Sequence, residues 1–222
     1  MIVEPRLQGA GGMLTHAPET LADVARLARA HGLLLIADEV FTGFGRTGEM
    51  FACDSAGVVP DLMCLSKALT GGTMGLAATL ATREVFDAFW SDDPEHALMH
   101  GPTFMANPLA CAAANASLDL FEREPRLAQA RAISATLQAG LQPLRGRPGV
   151  ADVRVLGAMG AVELEPPIDL ADLKRRLLAR GVWVRPFGRI VYLTPALTVS
   201  EADLATLVEA VVAVCGAGGS TR

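Results

Sequence analysis

Short apolar runs alternate with one amphipathic stretch over the first eighty residues of the chain. Residues 2–4 and the run LLLIADE, residues 33–39, predict buried strands that are apolar on both faces, as is typical of parallel sheets. The stretch between them has apolar residues at helical spacing and predicts a helix that begins near Pro18 and ends at Gly32. The runs PDLMCLSKAL and MGLAATLAT predict two further strands. This order of elements indicates an α/β fold.

The second half of the chain has a different pattern. Helices are predicted at 107–124 and 125–144, and the runs VADVRVLGAMGAVELE and GVWVRPFGRIVYLTP then predict two antiparallel β units with a helix between them. A last helix is predicted over 200–216. We therefore expect part of a large α/β domain at 1–124, a small α+β domain at 125–216, and a flexible tail at 217–222.

Composition narrows the possible functions. Among 222 residues, 51% are hydrophobic and the net charge is -5, which gives no reason to expect nucleic acid or an anionic membrane as partner. The four cysteines fall at no metal-ligand spacing, so no metal site is predicted, and neither a signal peptide nor a membrane-spanning run is visible. We expect a reduced, cytoplasmic compartment. A strand that starts at the first residue suggests the C-terminal portion of a longer fold.

Two chemically informative residues follow neighbouring strands. Lys67 and Lys174 are the only lysines, and Lys67 comes directly after an apolar strand, where open α/β sheets place their sites. Partial burial there would lower the pKa of the amine and make it a nucleophile for Schiff bases, although most lysines are simply solvated. Asp38 ends the preceding strand and matches the carboxylate that pyridoxal phosphate (PLP) needs at its ring nitrogen. An aspartate that only caps a turn or a helix is an equally good interpretation of Asp38 taken alone. We expect Glu39 to form hydrogen bonds with the backbone of the loop.

Weaker signals come from three other places. Thr103, in HGPTF, offers a hydroxyl and a backbone N–H that suit a phosphate. Arg185 alternates with Trp183 along a predicted strand and suits a carboxylate, although pairing with a structural acid is the commoner use of an isolated arginine. Tyr192, the only tyrosine, lies in the same stretch. The glycines of GFGRTG and TGGT match no nucleotide-binding pattern and are explained by turn geometry.

Taken together, LLIADEVFTGFGRTG, PDLMCLSKALTGG and HGPTFMANPLACAAANASL resemble, in sequence and order, the class III PLP-dependent aminotransferases of fold type I. The resemblance implies that Lys67 is the Schiff-base lysine and that Asp38 contacts the pyridinium nitrogen. It also implies that Pro102 and Thr103 belong to a phosphate-contacting motif that reaches across a homodimer into the partner's site. Gly101 would contact substrate in the same loop. Arg185 would bind a substrate carboxylate in a pocket that Tyr192 also lines.

Within that family, the motifs VEPRLQGAGGM, VRVLGAMGAVE and GVWVRPFGRIVYLTP resemble the branch that acts in biotin biosynthesis. That branch uses S-adenosylmethionine as amino donor and converts 8-amino-7-oxononanoate to 7,8-diaminononanoate. Family members carry a further N-terminal half, with a Gly-Ser phosphate loop and an aromatic ring that stacks on PLP. Two alternatives therefore stay open: another class III transaminase that acts on ω-amino acids, and a non-catalytic remnant that needs a partner chain.

Overall fold

The computed structural model describes residues 1–217, which form two compact units. The first contains Met1–Arg6, His16–Phe44 and Glu49–Pro125; the second contains Leu7–Thr15, Gly45–Gly48 and the chain from Arg126 onward. The sequence pattern did not predict that two short early segments belong to the second unit. The tail expected at 217–222 lies outside the described residues except for Ala217.

Both units contain strands and helices. The strands are β1 (Ile2–Val3), β2 (Leu7–Gln8), β3 (Leu14–Thr15), β4 (Ile36–Asp38), β5 (Leu62–Leu65), β6 (Ala78–Ala81), β7 (Val150–Leu156), β8 (Met159–Leu164) and β9 (Ile190–Leu193). The α-helices are α1 (Pro18–Ala30), α2 (Arg83–Asp87), α3 (Pro108–Arg123), α4 (Arg126–Leu141), α5 (Leu170–Leu178) and α6 (Glu201–Cys215). Short 3-10 helices span Ala52–Ala56, Lys67–Thr70, Pro94–His96 and Gln142–Leu144.

A four-stranded mixed sheet organises the first unit, in the order β1-β4-β5-β6. Strands β1, β4 and β5 are parallel, whereas β6 runs antiparallel to β5. The prediction of an α/β fold is confirmed, but the sheet is not parallel throughout. Helix α1 begins at Pro18 as predicted and buries Leu21, Ala25 and Ala28 in a core shared with Leu35 and other residues of the sheet.

Some apolar residues of the predicted buried strands are exposed. Ile2 on β1 is 65% exposed, and Leu33 and Leu34, which precede β4, are 47% and 48% exposed. The prediction that these runs are buried on both faces is wrong for these three residues. Ile2 lies on β1 at the edge of the sheet, where the strand has a partner on one side only, and Leu33 and Leu34 lie before the first residue of β4.

The second unit is built on the antiparallel sheet β7-β8-β9, with α4 and α6 packed against its core. The hairpin β2–β3 belongs to the same unit, although the sequence predicted a loop there. Residues 182–186 were predicted as strand but lie outside the named strands, because Pro186 has no N–H to donate and a turn follows, with Phe187 and Ile190 bonded to each other. Among residues 1–217, no helix is long and apolar enough to span a membrane.

Candidate active site

Two hydrogen-bonded parallel strands deliver Asp38 and Lys67 to one edge of the first unit's sheet. Asp38 is the last residue of β4 and pairs in register with Cys64 of β5. Lys67 follows Cys64 by three residues and begins the 3-10 helix Lys67–Thr70. Because both strands run in the same direction, both residues lie at the carboxyl ends, where ligands of open α/β sheets bind.

The carboxylate of Asp38 is half-buried and only partly used by the fold. Its Oδ1 accepts a hydrogen bond from the backbone N–H of Val40, at 3.1 Å. This contact is the turn interaction expected of Asp38 in its alternative role. The second oxygen, Oδ2, takes no hydrogen bond from the described residues, so the turn leaves one carboxylate oxygen available to a ligand.

The neighbouring carboxylate, Glu39, has a structural task. Its side chain is fully buried, and it accepts hydrogen bonds from the Cys53 backbone N–H, at 2.9 Å, and from the hydroxyl of Thr42. The expectation that Glu39 binds loop backbone is confirmed. Burial raises the pKa of the Cys53 thiol, and the adjacent Glu39 carboxylate raises it further, so Cys53 stays a neutral thiol inside this cluster. The cluster fixes the turn that begins directly after Asp38.

Lys67 has an unusual backbone and an unpaired amine. Its φ is +46°, in the left-handed region that non-glycine residues rarely adopt, and such strain is concentrated at functional sites. The ammonium lies 5.0 Å from the centroid of the Phe41 ring, which is within cation–π distance, and no carboxylate of residues 1–217 forms an ion pair with it. The side chain is exposed, so the prediction that it is partly buried is wrong for this chain. Phe41 was not singled out from the sequence, because an aromatic residue after a strand has no distinctive spacing.

The loop with Gly101, Pro102 and Thr103 lies on the surface of the first unit. All three residues are exposed, and a turn closes behind them through a hydrogen bond from Met105 N–H to the Pro102 carbonyl, at 2.9 Å. Asn107 then caps α3 by accepting hydrogen bonds from two backbone N–H groups. No hydrogen bond in the described part of the chain connects this loop to Asp38 or Lys67. The roles expected for the loop therefore remain predictions.

Arg185 and Tyr192 meet in a pocket of the second unit. The pocket has a volume of about 210 Å³ and is lined by Trp183, Val184, Arg185, Tyr192, Leu193, Thr194, Pro195 and Leu207. Burial alternates over 182–186, so Trp183 and Arg185 share the exposed side, as expected, although the segment is not a strand. Within residues 1–217 no acid forms an ion pair with Arg185, so its guanidinium is available to a carboxylate. The ring of Phe187 packs edge-on against Tyr192, with 5.6 Å between centroids.

Comparisons with known proteins agree on one family. A family model described as aminotransferase class III matches residues 1–215. A curated protein of Corynebacterium glutamicum, adenosylmethionine-8-amino-7-oxononanoate aminotransferase, is 50% identical over 215 residues, which are 96% of this chain and 51% of that protein. The crystal structure of the protein with the same name from Methanocaldococcus jannaschii is 33% identical, with a TM-score of 0.91, over 98% of this chain and 53% of the other.

A second solved structure is described in a cofactor-bound state. It is an amine transaminase from an uncultivated Pseudomonas species, in the PLP-bound internal aldimine form, and it is 37% identical with a TM-score of 0.90. The match covers 98% of this chain and 52% of that one. The fold expected from the motifs is therefore confirmed, and the chain spans about half the length of the curated relatives it matches.

Proposed function

Since the chain belongs to the class III aminotransferases, we propose that it carries the lysine-bearing part of a PLP-dependent transamination site. The proposed reaction converts 8-amino-7-oxononanoate to 7,8-diaminononanoate, with S-adenosylmethionine as amino donor, in biotin biosynthesis. In this proposal residues 1–124 contribute cofactor binding and residues 125–216 form the smaller domain that contacts substrate. The protein acts as a cytoplasmic homodimer.

One observation carries the proposal: Asp38 and Lys67 stand at the carboxyl ends of two hydrogen-bonded parallel strands. An acid and an amine at adjacent strand ends can neutralise each other by forming an ion pair. Here the Asp38 carboxylate keeps one oxygen available, and the Lys67 amine has no ion-pair partner in the described part of the chain. The pair fits a ligand that offers a protonated ring nitrogen to the acid and an aldehyde to the amine.

PLP has these two groups and, when bound, supplies an electron sink for the carbon that loses or gains the amino group. Asp38 would hold the ring nitrogen, Lys67 would react with the aldehyde carbon, and Pro102 and Thr103 would contact the phosphate. Asp38 would keep that nitrogen protonated, because a carboxylate beside a cation favours the charged form of that cation. The Lys67 amine would hold and move a proton at Nζ, as general base and acid for the reacting substrate carbon.

The pocket of the second unit supports the choice of acceptor. 8-Amino-7-oxononanoate ends in a carboxylate on an aliphatic chain. The pocket offers the Arg185 guanidinium, which forms no ion pair within residues 1–217, together with the apolar surfaces of Trp183 and Leu207 and the ring of Tyr192. Gly101 contacts substrate in this proposal from its own loop. Arg185 binds and orients the carboxylate but takes no part in proton transfer.

Cofactor attachment is the direct test. PLP is added to the purified 222-residue chain, the visible absorbance is recorded, and borohydride reduction is followed by peptide mass spectrometry. We expect a visible band and PLP attached to the peptide that contains Lys67. Lys67→Ala should lose both, whereas Lys174→Ala, which removes the only other lysine, an exposed one on α5, should keep both. Equal labelling of the two variants would refute the role of Lys67.

A second candidate is an amine transaminase, because the structure described by that name matches the fold almost as well, with a TM-score of 0.90. The two candidates differ in their need for a carboxylate-binding arginine. In the biotin-pathway proposal, Arg185→Ala raises the KM for 8-amino-7-oxononanoate much more than the KM for S-adenosylmethionine. Equal changes in both KM values would show that Arg185 has a structural role and would remove this support for the biotin-pathway acceptor.

A further inference from the structure

Phe41 brings an aromatic ring to the amine of Lys67. It follows Asp38 by three residues, in the turn after β4, whereas Lys67 comes directly after the neighbouring strand β5 and one further residue. The Nζ atom of Lys67 lies over the ring, 5.0 Å from its centroid. A cation in this position is attracted by the negative face of the ring. The carboxyl ends of β4 and β5 therefore carry three groups: an acid, an amine and a ring.

Hydrogen bonds on both sides of Phe41 fix the turn that carries its ring. Before the ring, the Val40 N–H donates to Oδ1 of Asp38, at 3.1 Å. After the ring, the Gly43 N–H donates to the carbonyl of Glu39, at 3.0 Å. The side chain of Glu39 is itself fully buried and hydrogen-bonded, so the start of the turn is anchored in the interior of the first unit. The ring therefore stands on a fixed part of the backbone.

The backbone around Lys67 is constrained as well. Lys67 has its φ of +46° in the left-handed region, and its neighbour Ser66 bonds in two directions. The Ser66 hydroxyl donates to the Leu76 carbonyl at 2.8 Å, and the Ser66 carbonyl accepts from the Leu69 N–H at 3.0 Å. Two constrained stretches of backbone therefore bring the ring and the amine together across neighbouring strands. What can still move is the exposed side chain of Lys67.

A ring has a different consequence for Lys67 than an acid would have. An ammonium that reached Oδ2 of Asp38 would form an ion pair, and each group would then block the other. Within residues 1–217 the two form no ion pair, and the ammonium lies over Phe41 instead. Because the ring attracts the charge without using the carboxylate, Oδ2 stays open while the amine stays at the same edge of the sheet.

We propose that Phe41 is a positioning residue for Lys67: its ring holds the free ammonium at the carboxyl end of β4 and keeps it out of an ion pair with Asp38. Both groups then remain available to one ligand. Phe41 takes no part in proton transfer and acts only through the position of Nζ. The inference rests on the proposed function, because it assumes that Asp38 and Lys67 bind PLP together.

The small number of lysines makes the contact measurable by NMR. In the full chain labelled with carbon-13 at the lysine Cε, and without PLP, two lysine side chains give signals: Lys67 and Lys174, which is exposed on α5. Lys174→Ala assigns the two signals. Protons that lie over an aromatic ring shift upfield, so the Lys67 signal should lie upfield of the Lys174 signal.

Variants of Phe41 test whether its ring causes that shift. We expect Phe41→Leu to remove the upfield shift of Lys67 and Phe41→Tyr, which keeps a ring, to retain it. If Phe41→Leu does not fold, Phe41→Met provides a second variant without the ring. Phe86→Leu is the matched control, because the Phe86 ring belongs to the same unit and lies under a different cation, Arg83, at 5.3 Å. Phe86→Leu should leave the Lys67 signal unchanged.

A second substitution tests the consequence for Asp38. In Phe41→Leu the ammonium should move to Asp38, so adding Asp38→Asn should shift the Lys67 signal in that variant. In the parent, Asp38→Asn should leave the signal in place. PLP would have to break the new ion pair in Phe41→Leu. The Kd for PLP, measured from the visible absorbance, should therefore rise about two- to fivefold, which is the strength of an exposed ion pair.

Two outcomes would overturn the inference. One is a Lys67 signal that coincides with that of Lys174 in the parent, or an upfield shift that survives Phe41→Leu. The other is an equal response to Asp38→Asn with and without the ring. Failure of the proposed function gives a different result. The borohydride test then finds no PLP on Lys67, although the upfield shift is present and depends on Phe41, and the ring holds the amine without serving a cofactor site.

Discussion

Gly157, in the β7–β8 turn, lies against the segment Gly45–Gly48 so closely that no side chain fits. A Cβ atom built at Gly157 would lie 2.3 Å from the carbonyl carbon of Thr47, 2.4 Å from the carbonyl oxygen of Arg46 and 2.6 Å from the backbone nitrogen of Gly48. All three are backbone atoms, which cannot move aside as a flexible side chain can. Gly157→Ala should therefore push the segment away from the turn.

The loss in free energy of unfolding that we expect for Gly157→Ala has two parts, which can be measured separately. Gly157 has a φ of +54°, and forcing an alanine into this left-handed conformation costs about 1 kcal/mol. Overpacking against fixed atoms typically costs about 1–3 kcal/mol more. Gly188 has nearly the same φ, +53°, but open space where its Cβ would lie. Gly188→Ala should therefore show only the cost of the left-handed backbone conformation, without the cost of overpacking.

Urea unfolding measures the difference in stability between Gly157→Ala and Gly188→Ala. With Trp90→Phe in every sample, Trp183 fluorescence reports on the second unit only. A difference of about 2 kcal/mol between the two variants corresponds to roughly 1 M in the urea midpoint, for a slope of about 2 kcal/mol per M. Equal midpoints for Gly157→Ala and Gly188→Ala would show that the close approach of Gly157 to the segment Gly45–Gly48 is not maintained in solution.

Three further predictions concern the second unit. Gly140→Ala would place a Cβ 2.3 Å from Cγ1 of Val208, so it should cost about 1–3 kcal/mol in urea unfolding, and Val208→Ala in the same chain should recover part of that loss rather than add to it. Burial raises the pKa of Cys215 to about 12 from its ordinary value of 9.0. The stability that its neutral thiol contributes is therefore complete below pH 9 and is lost as the pH rises towards 12. Cys215→Ala should make the unfolding midpoint fall less steeply over that range. Arg154 donates to the carbonyls of Gly12 and Met13 and forms ion pairs with two acids. Arg154→Met should therefore accelerate amide hydrogen exchange over residues 7–15. Unchanged exchange there would contradict the idea that Arg154 holds this hairpin in place.

The sequence pattern predicted the elements whose causes are local. Helix α1 begins at Pro18, because a proline at the first helical position loses no hydrogen bond, and its apolar spacing already marks the face that is buried. The apolar run before Asp38 and the one before Lys67 were recognisable as strands, and the strand-end positions of both residues follow from the chain order. The chemical type of each side chain then suggested its role.

Other features are set by residues far apart in the chain. Segment Gly45–Gly48 looks like an ordinary glycine-rich turn in the sequence, yet Arg46 bonds to Pro195, 149 positions away. The exposure of Lys67 and the burial of Glu39 also depend on which surfaces meet in the fold, since neighbouring residues gave no sign of either.

Periodicity and residue type therefore determined the helices, the paired strand ends and the candidate chemistry of Asp38 and Lys67, because these depend on neighbours within a few residues. Only the tertiary structure decided that the hairpin β2–β3 and the Arg46 segment belong to the second unit, and that Pro195 forms part of the Arg185 pocket. The physical reason is that a hydrogen bond between distant segments, or a glycine with no room for a Cβ, leaves no repeat in the sequence by which its partner could be identified.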